Sequence, residues 1–217
     1  MLGDPIPAKV LSARLLPNAD PSLLERLKVP KNHRSLALLT SDCDDVSYAA
    51  LDEATKKASV QVIYARSMYA GSSNASTALA GEFIGIISAP DPAEARSGLE
   101  AAVHYIEHEA SFYSANDDDS VTYFAHCISR IGSYLSQTAG VEEGVAMAYC
   151  IAPPLEAMIG LDAAVKAADV TLRVFYGPPT ETNFAGGLFT GDQAACQAAC
   201  DAFKEAVIRV AAAPLKI

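Results

Sequence analysis

The sequence has no tryptophan, few charges and fewer still of positive sign. Charged residues make up 19% of 217, with 16 Lys and Arg against 26 Asp and Glu, a formal net charge of −10. Such a field repels phosphate backbones and speaks against a nucleic-acid partner. Long apolar runs are missing too: no stretch approaches the roughly 20 continuous apolar residues that span a bilayer. Residues 1–10 carry two prolines and an aspartate where a signal peptide would be apolar. The expectation is a cytoplasmic chain with no membrane partner. Cysteine is scarce and unpatterned; Cys43, Cys127, Cys150, Cys196 and Cys200 form no CxxC pair. Neither a disulfide framework nor a zinc ribbon is expected.

What the chain does have is apolar content, 51%. That is far from disordered compositions, and apolar surface left over after folding favours self-association. The length suits one large domain or two small ones, and an internal repeat decides between them. Leu51-Asp52-Glu53-Ala54-Thr55-Lys56-Lys57-Ala58-Ser59-Val60 matches Leu161-Asp162-Ala163-Ala164-Val165-Lys166-Ala167-Ala168-Asp169-Val170, 110 residues further on. A repeat near half the chain length means a duplicated domain, since solenoid periods are shorter.

Each half shows the same order of elements. An apolar run (35–40; 145–152) reads as a buried strand, followed by a helix (47–58; 155–168) and a β-branched strand (60–65; 170–176). Beyond Gly- and Pro-rich loops come another strand (82–88; 184–190) and an alanine-rich helix (92–109; 192–212), with Asp91 or Asp192 as N-cap. A strand and helix lead each half, 9–16 with 20–28 and 110–115 with 119–137. In the later copy Val121, Phe124, Ile128, Ile131 and Leu135 recur at helical spacing, and Asp117, Asp118 and Asp119 sit where a helix N-terminus favours negative charge. The fold class is α/β, an α+β sandwich in each half, with domains at 1–109 and 110–217.

At this point the residues resemble the tandem-domain bacterial microcompartment shell proteins of ethanolamine utilization, over nearly the whole chain. The resemblance is carried by His33-Arg34-Ser35-Leu36, Asp44-Asp45-Val46, Arg66-Ser67-Met68-Tyr69-Ala70-Gly71, Gly132-Ser133-Tyr134-Leu135-Ser136, Ala152-Pro153-Pro154-Leu155-Glu156-Ala157 and Thr190-Gly191-Asp192-Gln193-Ala194-Ala195-Cys196. It implies two circularly permuted domains, a homotrimer that imitates a hexamer, and edge-to-edge tiling with other shell proteins. It also implies a non-enzymatic role that requires no cofactor and no metal, with corrinoid contact allowed.

The resemblance further implies a small acidic pore for ethanolamine, whose matching positions are Asp44, Asp45 and Glu82. Ethanolamine is a compact ammonium with a hydroxyl, and converging carboxylates accept its hydrogen bonds. On residue type alone, Asp44 and Asp45 read equally as helix-start residues and Glu82 as a water-facing one. A central gate is implied at Tyr69, Phe112 and Tyr113, with Tyr69 ahead of the small polar loop 71–76; on type alone the three aromatics read as local core.

Two rival chemistries stand beside these. His104-Tyr105-Ile106-Glu107-His108 matches H-x-x-E-H, the inverted zincin pattern of a metallopeptidase, although His at a helix C-terminus also suits the dipole. Adjacent His126 and Cys127 would suit a soft metal or a corrinoid cobalt, but Cys127 also reads as a small buried hydrophobe, as do Cys196 and Cys200. A shell protein of another compartment, such as one for diols, is the third reading.

Overall fold

In the computed structural model, which describes residues 1–69 and 77–215, the chain runs β1 (Pro5–Pro7), β2 (Val10–Leu16), α1 (Pro21–Arg26), β3 (Ser35–Ser41), α2 (Asp44–Lys57), β4 (Gln61–Ser67), β5 (Phe83–Ala89) and α3 (Pro92–His108). It continues with β6 (Ser111–Ser114), β7 (Thr122–Ile128), α4 (Ser133–Ala139), β8 (Ala146–Ala152), α5 (Pro154–Ala167), β9 (Thr171–Tyr176), β10 (Ala185–Gly191) and α6 (Gln193–Ala212). There are two compact units. One holds residues 7–110 with 132–135, the other residues 1–6, 111–131 and 136–217.

The duplication is visible in the topology. The first sheet has the order β2-β3-β5-β4, and the second repeats it as β7-β8-β10-β9, extended by β6 and β1. Within each four-strand repeat neighbouring strands pair antiparallel, β3 with β5 from Ser35 against Ala89 and β8 with β10 from Ala152 against Ala185. Every residue of β8 is buried, which explains why it reads as a continuous apolar run rather than an alternating one. Its Ala148, Cys150 and Ala152 face Ala157, Leu161 and Ala164 of α5 and Cys196, Ala199, Cys200 and Phe203 of α6. Alanine dominates this layer because small side chains bring a helix close to a sheet.

The expected helix at 119–137 is corrected. Residues 122–128 form strand β7, and only 133–139 are helical. The run Asp117-Asp118-Asp119 is the turn between β6 and β7: Asp118 accepts from the Ser120 backbone at 3.1 Å, and Asp119 has a left-handed φ of 59°. Asp and Asn make such turns with their own backbone. The N-terminal ammonium reaches the same turn, 3.3 Å from Asp119.

Within the first unit, the Asp52 carboxylate is fully buried on α2. Its two oxygens accept from the backbone N–H of Gly132 at 2.7 Å and of Leu135 at 2.9 Å, while the Thr55 hydroxyl accepts from Ser133 N–H at 3.1 Å. A Cβ at position 132 would collide with Thr55 and with the Asp52 carbonyl, so the close approach requires glycine. Burial raises the Asp52 carboxyl above its ordinary value, against the lowering effect of these N–H donors and Lys56. In the second unit the repeat partner, Asp162, is exposed and bonded to Lys166 at 2.6 Å.

One residue type at one repeat position therefore has two roles, and substitution separates them. Asp52→Ala is expected to lower unfolding free energy by about 2–4 kcal/mol, because two buried N–H groups lose their acceptor. Asp162→Ala is expected to stay within about 0.5 kcal/mol, as for other exposed pairs. Urea denaturation of both variants at one protein concentration checks this.

Candidate functional site

The acidic cluster is assembled where β3 passes into α2. Asp44 and Asp45 open the helix, where its dipole favours carboxylates, and both are more than nine-tenths buried. The Asp45 backbone N–H donates to the Asp44 carboxylate at 2.9 Å. Cys43, at the N-cap, makes no side-chain cap; its backbone carbonyl instead accepts from the Ser41 and Ser47 hydroxyls at 2.9 and 2.7 Å. Gly81, at a φ of 61°, then turns the chain into β5. A side chain there would strike the Ser41 carbonyl. That turn sets Glu82 beside the cluster: its N–H donates to the Ser41 carbonyl at 2.9 Å, and its own carbonyl accepts from Met68 N–H at 2.7 Å.

Electrostatics bind these residues into one site. Glu82 is half-buried, and burial, then Asp44, then Asp42 raise its carboxyl above the ordinary value. Burial, followed by Asp45, Asp44 and Asp42, pushes the Cys43 thiol well up. A group so surrounded stabilises a cation and resists a further anion. Two participants were missing from the sequence reading. Asp42 accepts from the Lys9 backbone at 2.7 Å, and the Tyr48 hydroxyl, bonded to Ser67 at 2.9 Å, is raised by burial and also feels Asp44 and Asp45. The signal for Tyr48 was its place one helical turn after the carboxylates, on the same face.

The aromatic residues named for a gate differ in setting. Tyr69 is exposed at the end of the described segment of the first unit, and the loop 70–76 that follows lies outside the described residues. In the second unit Phe112 is 8% exposed and packs against Phe124 and Phe184, centroids 5.4 and 5.6 Å away. Its neighbour Tyr113 is 37% exposed and stacks on Tyr123. His126 stacks on Phe124 at 5.4 Å, and the partly exposed Cys127, its thiol pushed up to about 11 by burial and by Cys200 and Cys196, points toward the Gln193 carbonyl.

The H-x-x-E-H pattern lies on the surface of α3. The His104 and His108 rings stack at 4.7 Å, His108 Nδ1 meets the His104 carbonyl at 3.1 Å, and His104 faces Glu109 at 3.5 Å. A shallow apolar groove of about 340 Å³ beside them is lined by Ala13, Leu99 and Val103. Among the described residues no group of three or more His, Cys, Asp or Glu is arranged to hold a metal ion. None of the helices described is long and apolar enough to cross a membrane.

Two copies of one antiparallel sheet order, each backed by helices, define a duplicated domain. The BMC domain family matches residues 35–116 and 150–214, and the chain belongs to that family of bacterial microcompartment shell proteins. It is 60% identical over 215 residues, 99% of each chain, to bacterial microcompartment shell protein EutL of Clostridium perfringens, and 48% identical over 213 residues, 98% and 97% of the two chains, to EutL of Salmonella typhimurium. The crystal structure of ethanolamine utilization protein EutL from Leptotrichia buccalis superposes with a TM-score of 0.97 at 64% identity over the full length of both chains. The chain is a structural shell protein and not a cofactor-dependent enzyme, so the metallopeptidase reading of His104, Glu107 and His108 is set aside.

The cluster makes a titration prediction. Glu82 is expected to take up its proton at a higher pH than an exposed glutamate, and Asp44→Asn is expected to bring that midpoint down, since it removes the largest neighbouring charge. Carboxyl chemical shifts followed across pH check both; an unmoved midpoint in the variant would separate Glu82 from Asp44.

Proposed function

We propose that this chain tiles the shell of an ethanolamine-utilization microcompartment as a homotrimer, and that the cluster of Asp44, Asp45 and Glu82 is its small passage for ethanolamine. Two similar domains per chain, divided near 109/110 in sequence and circularly permuted, would need three copies to complete a six-fold-like disc. The observation that carries the ligand is the Glu82 carboxyl, half-buried and held in the field of Asp44 and Asp42. A small ammonium relieves that repulsion, its three N–H donors reach converging acceptors, and the terminal hydroxyl adds one more bond. A neutral diol offers no charge to such a site, which sets this reading apart from a diol compartment. The name of the Leptotrichia buccalis neighbour, an ethanolamine utilization protein, supports the same choice.

Binding then depends on pH with a definite sign. Only the ionised Glu82 attracts the cation, and its carboxyl ionises above the ordinary value of 4.5. Affinity is therefore expected to rise with pH through that raised value and then level off, with protons released on binding in the rising range. Glu82→Gln removes the dependence, and Glu82→Gln or Asp45→Asn weakens binding about tenfold or more, the loss of one charge-assisted hydrogen bond. Calorimetric titration with ethanolamine and with a diol of the same length tests this; equal heats for the two, or unchanged affinity in both variants, would move the site elsewhere.

The central opening is proposed to be gated by Tyr69, Phe112 and Tyr113, leaving a wide route for a bulkier passenger such as a corrinoid. Phe112, being buried, anchors β6, and its removal would cost about 3–5 kcal/mol of stability. The exposed pair is the cleaner test. Structures of the assembled parent, its ethanolamine complex and the Tyr69→Ala/Tyr113→Ala variant are expected to differ in aperture, widest in the variant, because only a closed state uses the packing of those rings. The same aperture in all three would end the gating model.

A further inference from the structure

The end of α3 carries two exposed imidazoles that the shell role leaves without a task. His104 and His108 stand as far from the N-cap Asp91 as Glu205 and Arg209 of the twin helix α6 stand from Asp192, and there the pair is an ordinary exposed ion pair at 3.8 Å. The helix dipole accounts for a basic residue in the last turn, His108 in α3 and Arg209 in α6. It does not account for His104, a full turn earlier. Neither ring is packed into the core; the His104 side chain is 62% exposed.

Hydrogen bonding decides which nitrogens are free. His108 Nδ1 lies 3.1 Å from the His104 carbonyl, which only accepts, so Nδ1 carries the proton and neutral His108 has its lone pair on Nε2. A ring that donates one N–H to a backbone carbonyl and presents its other nitrogen is oriented as metal-ligating histidines are. The second ring stacks on the first, centroids 4.7 Å apart and planes at 21°. Two nitrogens held by one ion at about 2.0–2.1 Å are about 3.0–3.4 Å apart, so a tilt of the exposed His104 ring closes the pair. Side chains four apart share one helix face, the spacing by which two histidines hold an ion from a single helix.

The surroundings favour a cation. The Glu109 carboxylate is 3.5 Å from His104 Nε2, and Glu100 and Glu107 line the same shallow groove as the two rings, with no Lys or Arg among its lining residues. We propose that His104 and His108 form a surface clamp for a divalent transition ion of the nickel, copper or zinc class. Imidazole suits these ions, whereas magnesium and calcium take oxygen ligands that the pair does not offer. Among the described residues no third residue converges on the pair, so water fills the remaining positions, and Glu109 is placed to accept from one such water. The clamp involves no hydrolytic chemistry, and it stands whether or not the ethanolamine passage does.

The full-length chain, free of any affinity tag, tests it. Calorimetric titration with nickel(II) chloride is expected to show one saturable site per chain that magnesium chloride does not fill. His104→Ala and His108→Ala are each expected to weaken nickel binding at least about tenfold, since losing even an outer partner of a ligand costs that much, and the double variant to abolish it. Circular dichroism is expected to stay unchanged, both rings being exposed. Cys127→Ser, which removes the partly exposed thiol, is expected to bind nickel as the parent does. With zinc(II) chloride, nitrogen-15 spectra of the imidazoles are expected to show the coordination shift on His108 Nε2 while Nδ1 keeps its proton. A parent with no saturable site, or a double variant that binds nickel as tightly as the parent, overturns the clamp; the latter result would place the ion on carboxylates or thiols instead.

Discussion

The Asp52 carboxylate has no exposed surface, and the first unit closes around it. Taking a carboxylate out of water costs several kcal/mol, and the cost is offset only if both oxygens find donors. Here one oxygen takes Gly132 N–H and the other Leu135 N–H, with the Lys56 ammonium 3.8 Å away. The donors come from 80 residues further along the chain, so this one side chain fixes a segment that local propensity would leave free. Everything near it follows: glycine at 132, the hydroxyl of Thr55 turned to Ser133, and the stacked rings of Tyr48 and Tyr134 beside them.

A second set of buried carboxylates lies two turns earlier on the same helix, and it obeys the same physics to a different end. Asp44 and Asp45 sit in the favourable field of the helix start, but Glu82 arrives from another strand and is pushed toward its neutral form by burial and by Asp44. Asp52 is saturated by its own chain; Glu82 is crowded by like charges. The contrast separates a structural carboxylate from one whose environment improves when a cation arrives.

Much of this was legible in the residues, for identifiable reasons. The buried strands β3 and β8 are uninterrupted apolar runs, the long helices begin at Asp91 and Asp192 as caps, and the repeat at Leu51 and Leu161 announced the duplication. Residues 119–137 misled because Val121, Phe124, Ile128, Ile131 and Leu135 have helical spacing by coincidence. Their true twin, β2, shares no residue pattern with β7, so the copies gave no help. The polar cluster from Asn116 to Ser120, between two β-prone runs, was the turn signal that outweighs such a stripe. At the site, Asp44, Asp45 and Glu82 came from resemblance, whereas Asp42, Gly81 and Tyr48 needed the fold. Nothing local in Gly81 says that a carbonyl 40 residues earlier leaves no room for a side chain.

Duplication also explains why the acidic start of α2 has no counterpart at the start of α5. Where α2 begins with Asp44 and Asp45, α5 begins with Pro154 and Leu155, and where Glu82 enters β5, Phe184 enters β10. A ring of identical single domains must repeat any such cluster at every position, and its charges would accumulate accordingly. A tandem chain escapes that constraint. One copy can keep carboxylates at these points, while the other has proline, leucine and phenylalanine there, with Leu155 left 60% exposed. The apolar start of α5 and the acidic start of α2 are thus two outcomes of one helix, divided between copies that no longer have to be alike.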